Sequence, residues 1–201
     1  MALTYTSLKS EVADWSHRSD LTAKMDIFTE LAEAVINKDL RALDMEKELI
    51  DVSFTDSYYD LPADYLEMRS LYLTISGARR AIELLPPKVL DQRYNFATGS
   101  PCAYTVKAGQ IEFRPGIEAS SPYVGSYTYF ARVPSLVTNA TNTILTKFPM
   151  VYLSAMMTQV YLYLQDDEEM AKWVSIYDNQ VSMANKSAGG GRYNLPSVRS
   201  A

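Results

Sequence analysis

The chain has 201 residues, 47% hydrophobic and 21% charged, with a net charge of −5. A chain of this length buries roughly 70% of the surface that its unfolded form exposes, and this balance excludes a disordered chain, a collagen-like chain and a disulfide scaffold. Nineteen basic against 24 acidic residues leave no electrostatic footprint of a duplex-binding domain. The single cysteine, Cys102, forbids an internal disulfide framework. Met1 to Thr6 has neither a basic nor an apolar signal-peptide region, so no signal peptide is expected. Tyrosine is over-represented, 15 against 6 Phe and 2 Trp. Its apolar ring and polar tip suit surfaces that become buried against another protein.

Leu8, Val12 and Trp15 recur at helical spacing, predicting a helix over Ser7–His17. A break follows, with Ser19 or Asp20 as the cap of the next helix. That helix, about Thr22–Asn37, places Ile27, Phe28, Leu31, Val35 and Ile36 on one face and Lys24, Asp26, Glu30 and Glu33 opposite. From Met45 the period shortens. Glu48–Thr55 reads as a strand, Ser57–Asp60 as a turn, Leu61–Asp64 as a short helical turn and Met68–Ile75 as a strand. Leu85-Pro86-Pro87 opens a brief helix, and 96–101 is a loop. Ala103–Lys107 and Gln110–Pro115 form a hairpin through Ala108-Gly109. Tyr123–Val133 is a tyrosine-rich strand.

Helix returns at Thr141–Lys147, and Pro149 suits the first turn of a long helix reaching Leu164. The uncharged run Phe148–Gln165 is the one candidate membrane span. Its Pro149, Ser154, Thr158, Gln159 and three tyrosines point instead to a helix buried in a bundle or between subunits. Asp166 and Glu169 have capping-box spacing and restart a helix to about Asn185, with Met170, Trp173, Val174, Tyr177, Val181 and Ala184 as its apolar stripe. Ser187 to Gly191 is expected to end helicity. Together these segments predict an α+β fold: a bundle of helices from about 7–40 and 141–186, a β-rich insertion at about 45–135, and a flexible glycine-hinged tail at 187–201.

No catalytic, cofactor or metal site is expected. His17, the only histidine, sits at a helix end with no nucleophile motif nearby, and Cys102 reads as a semi-buried free thiol. Asp166 to Glu169 lacks the spaced ligands of a calcium loop and suits a helix N-terminus. Asp60, Asp64 and Glu67 could in principle serve as the acid and nucleophile of a glycosidase. Gly189 to Gly191 has neither the preceding strand nor the Lys-Ser/Thr of a phosphate loop. Its meaning is a hinge before a docking peptide or a disordered end. Arg192, Tyr193, Asn194, Leu195, Val198 and Arg199 are the candidate docking residues.

Several stretches, taken in order, resemble the phage head-to-tail adaptors of short-tailed phages. They are Tyr5-Thr-Ser-Leu-Lys9, Val12-Ala-Asp-Trp15, Asp20-Leu-Thr-Ala23, Phe28 through Arg41, Tyr59 through Ser70, Phe148 through Leu153, Tyr161 through Glu168, and Trp173 through Tyr177. The resemblance spans about residues 4–186 and is loose over 96–140. It implies a structural virion protein at the neck or tail of the particle, made in the host cytoplasm. The implied partners are the portal protein, further copies in a ring (usually twelve) and a downstream tail or nozzle protein. Genomic DNA would pass through the lumen without specific binding, and no membrane is involved. Another tail or nozzle subunit, with a receptor- or glycan-contacting β segment, is the alternative. A peptidoglycan hydrolase using Asp60 to Glu67 is the third reading.

Overall fold

A computed structural model describes residues 3–95 and 97–190. They form an α+β fold in two compact units. One comes from the chain up to Met45 and from Arg132 onward, the other is Glu46–Ala131.

The first unit is helical. α1 spans Tyr5–Ser16 and begins earlier than its apolar periodicity suggests, because Thr4 and Ser7 form a reciprocal capping box. His17 ends it in the left-handed conformation. A 3-10 segment, Ser19–Lys24, occupies the expected start of the next helix, with neither Ser19 nor Asp20 as a side-chain cap. α2 then runs Met25–Asp39. Its buried face is Met25, Phe28, Thr29, Ala32, Glu33 and Ile36, whereas Ile27 is 51% and Leu31 49% exposed. The expected face was thus turned by about one residue. The reason is that Thr29 and Glu33 find buried hydrogen bonds and so enter the core.

α4 (Thr143–Lys147) is capped by Asn142, which accepts from the Leu145 N–H at 2.8 Å. α5 is Pro149–Leu164, with the proline in its first turn. It buries Val151 through Met157 and Val160 on nearly every side, as expected of a helix surrounded by α1, α2, α4 and the helix that follows it. Among the described residues no helix is long and apolar enough to cross a membrane. α6 spans Asp167–Gly190. The Asp166 carboxylate accepts from the Glu169 N–H at 3.1 Å, and Trp173, Tyr177, Val181 and Ala184 are buried. Helicity does not stop at Ser187; it continues through Gly189 and Gly190. Lengthening an existing helix needs no new nucleus, which offsets the roughly 1 kcal/mol that each glycine costs.

The second unit is two four-stranded sheets around an aromatic-rich core. β1 (Glu46–Phe54), β3 (Tyr65–Ile75), β4 (Ala78–Ala81) and β8 (Tyr123–Ala131) form one sheet in the order β1-β8-β3-β4. β2 (Tyr58–Asp60), β5 (Glu83–Leu84), β6 (Ala103–Lys107) and β7 (Gln110–Arg114) form the other in the order β2-β7-β6-β5, with only β5–β6 parallel. The expected turn at Ser57–Asp60 is therefore largely strand. Leu61–Asp64 is a reverse turn closed by the Tyr65 N–H on the Pro62 carbonyl at 3.0 Å. α3 is Pro87–Arg93. Ala108 and Gly109 both have positive φ at the β6–β7 turn, the geometry that matches the strands' twist.

Phe54, Leu73, Phe113, Tyr104 and Tyr127 are fully buried in this core. With Tyr5, Tyr129, Tyr152 and Tyr177 also buried, much of the tyrosine content fills the two cores instead of the surface. Gly125 sits opposite a bulge in β1 between Leu49 and Val52. A Cβ there would lie 2.3 Å from the Tyr72 carbonyl oxygen and 2.7 Å from Leu73.

Candidate functional site

The carboxylates that could suggest chemistry are bound into the scaffold. Asp60 accepts from the Gln110 amide at 2.7 Å. Asp64 pairs with Lys47 and accepts from the Tyr129 hydroxyl at 3.0 Å. Burial opposes ionisation of Asp64, but hydrogen bonds from Lys47 and Tyr129 outweigh it and hold its carboxyl below the usual range. A glycosidase acid needs the opposite shift. Burial, then Asp64, pushes the Tyr129 hydroxyl up to about 12.

At the start of α6, Glu168 and Glu169 both pair with Lys172, at 3.3 and 2.6 Å. Cys102 is exposed rather than semi-buried, because its strand begins one residue later; its thiol donates to the Ser100 carbonyl. Among the described residues no group of three or more His, Cys, Asp or Glu is placed to hold a metal ion. The expected docking residues Arg192, Tyr193, Asn194, Leu195, Val198 and Arg199 lie outside the described residues, as does Gly191.

A polar network that the sequence did not announce organises the helical unit. Glu33, on the core face of α2, accepts from the Leu136 N–H at 2.7 Å, and the Tyr152 hydroxyl of α5 donates to it at 3.4 Å. Asn142 donates to that hydroxyl at 2.7 Å and to the Pro134 carbonyl at 2.8 Å. Asn37 accepts from the Val133 N–H at 2.8 Å. Through these bonds α2 and α5 fix the irregular stretch 133–142. Burial raises the Glu33 pKa, and the hydrogen bonds from Leu136, Ser135 and Tyr152 recover only part of the loss. The end of α2 is clasped to α6 by Asn185, which accepts from the Arg41 N–H at 2.8 Å and donates to the Asp39 carbonyl at 3.0 Å. Its only sequence signal was an amide in a helix, which is too common to interpret.

Two surface features of this unit remain open. Ile27, Leu31 and Val35 follow one another at i, i+4 and i+8 along α2, a continuous apolar seam that ends half-buried at Val35. Where it ends, α2, α5 and α6 enclose a groove of about 180 Å³, lined by Val35, Ala155, Val174 and Tyr177 together with the polar Asp39, Thr158, Gln159 and Asp178. Trp15 remains 50% exposed although it meets the buried Trp173 edge-on, ring centres 5.6 Å apart. In the β unit, the outer face of the first sheet carries a shallow hollow lined by Ile50, Tyr72, Thr74, Arg79, Val124 and Ser126. The Arg79 guanidinium covers the Tyr72 ring at 4.2 Å and donates to the Ser126 hydroxyl at 3.1 Å.

An α+β chain with an apolar helix seam and a groove beside it has the features of a protein that works by docking. The family model described as SU10 adaptor protein matches residues 3–200, nearly the whole chain. The chain belongs to that family, and it is a phage structural adaptor, a component of the virion. No curated protein matches it.

Proposed function

We propose that the chain is the head-to-tail adaptor of its phage, forming a ring below the portal that extends the DNA channel and offers the platform for the tail or nozzle protein. The observation that carries this reading is the family match over residues 3–200. The open apolar seam on α2 supports it, since a cyclic ring needs surfaces left free for neighbouring copies. A net charge of −5 suits a conduit that DNA traverses without specific binding. Arg192, Tyr193, Asn194, Leu195, Val198 and Arg199 act as a docking peptide on the portal or on a neighbouring adaptor.

The test is electron microscopy of the purified chain mixed with its portal. An added ring on one face of the portal supports the proposal. Particles of portal alone at every ratio count against it. A chain that ignores the portal but binds glycans through its β unit would favour the nozzle reading. That outcome is not favoured by the Tyr72 ring, whose stacking face Arg79 already occupies.

A further inference from the structure

The first sheet of the β unit ends in two strands that each pair on one side only, β1 at one edge and β4 at the other. The free side of such a strand presents backbone N–H and C=O groups that a further strand can take up. Both edges are open. Residues 47–51 of β1 are exposed, Ile50 at 66%, and so are all four residues of β4.

The two edges carry opposite charge. β4 is Ala78-Arg-Arg-Ala81 and contains no acid. On β1, Glu46 is taken up by Arg69 and Lys47 by Asp64, which leaves Glu48 and Asp51. Among the described residues Asp51 and Arg80 form no ion pair. Arg79 reaches Glu48 of its own chain at 3.9 Å with both side chains more than half exposed, a pair of the weak kind. Pairing of like edges is therefore penalised: β1 on β1 sets acid beside acid, and β4 on β4 sets arginine beside arginine. Only β1 on β4 joins opposite charges. We infer that β4 of one copy adds to the β1 edge of a second copy, so that the sheet continues from each copy into the next.

The strand directions agree with this. β1 pairs antiparallel with β8, β8 with β3, and β3 with β4, so β1 and β4 run in opposite directions. Copies that follow one another in the same orientation then bring β4 to β1 antiparallel, the pairing used throughout this sheet. Glu48 and Arg79 line the same hollow, so the neighbour's Glu48 arrives on the face that carries Arg79. A contact between two different edges is heterologous, and repeated by rotation it closes a ring. Main-chain hydrogen bonds supply the affinity of an added strand. With four residues in β4, one junction is small and holds when many are closed together. The inference rests on the ring reading above, and it names the surface by which copies join.

The experiment uses the full chain with Cys102→Ser, one preparation carrying Ile50→Cys and another Ala81→Cys. The two are mixed at high concentration, with and without portal, and treated with a bismaleimide. A 50–81 dimer should form in preference to 50–50 and 81–81 dimers, and more of it on the portal. Arg79→Glu with Arg80→Glu in the Ala81→Cys chain should lower its yield about tenfold. Glu48→Lys with Asp51→Asn in the Ile50→Cys chain should then restore it, which no contact within one chain could do. All the substituted side chains are exposed, and the thermal midpoint of each preparation separates a lost contact from a lost fold. Absence of the 50–81 product, equal yields of the three dimers, or no restoration by the second charge change overturns the inference. Assembly on the portal without the 50–81 product removes this inference and keeps the ring reading. The 50–81 product without assembly on the portal keeps the junction and removes the portal reading.

Discussion

Glu33 shows how one buried carboxylate can serve structure and still leave a mark on stability. It joins α2 to the Leu136 N–H and to Tyr152, and burial raises its pKa. A carboxyl raised in this way keeps its proton longer in the folded state than in the unfolded chain. Stability therefore falls as pH rises from the ordinary carboxyl value through the raised one. Asp64 and Asp26, whose pKa values are lowered, act in the opposite direction, so the comparison must be with a variant. Glu33→Gln keeps an oxygen for the Leu136 N–H and removes the titration. Urea unfolding between about pH 4 and 7 should show wild-type stability declining relative to the variant as pH rises. Parallel profiles would show that Glu33 does not titrate with folding.

Gly125 is a second single-residue constraint. An added methyl would meet the Tyr72 carbonyl and Leu73 inside a paired strand. Gly125→Ala should cost roughly 1–3 kcal/mol by urea denaturation. A neutral result would mean that β3 yields without loss.

At the scale of elements, α2 separates legible from illegible information. Its existence and length follow from apolar spacing, but the phase does not, because Ile27 and Leu31 are as apolar as any core residue and yet face outward. Thr29 and Glu33 take the inward positions through bonds to Met25, Leu136 and Tyr152, which no periodicity encodes. Phe28→Ala should cost about 3–5 kcal/mol, whereas Ile27→Ala should remain within about 0.5 kcal/mol. Equal costs would mean that the helix is turned the other way. Trp173→Ala, on the buried stripe of α6, belongs with Phe28.

Strong local chemistry was readable elsewhere. Pro149 marks the start of α5, and the Ala108-Gly109 turn fixes the β6–β7 hairpin. β2, β4 and β5 have at most four residues each, too few to establish a period, and they exist because a neighbouring strand pairs with them. The groove between α2, α5 and α6 was illegible for a related reason. Val35, Asp39, Val174 and Asp178 become one site only after three helices meet. The glycines at 189 and 190 suggested a hinge, but α6 carries both as helix.

At the scale of the whole molecule, the stability of the chain and its attachment to partners should separate. The described residues supply a buried core in each unit, so truncation after Gly190 should leave the thermal midpoint nearly unchanged. If those residues link neighbouring copies, the same truncation should weaken assembly on the portal, because a ring loses one contact per subunit. Unchanged attachment would assign the segment no docking role.

The central claim is that the chain docks on a portal as a ring. Sedimentation velocity of the purified chain, the portal and their mixture tests it most directly. The account predicts a largely monomeric chain alone and, in the mixture, a single faster boundary containing both proteins in a fixed ratio. Two independent boundaries at every mixing ratio would contradict it.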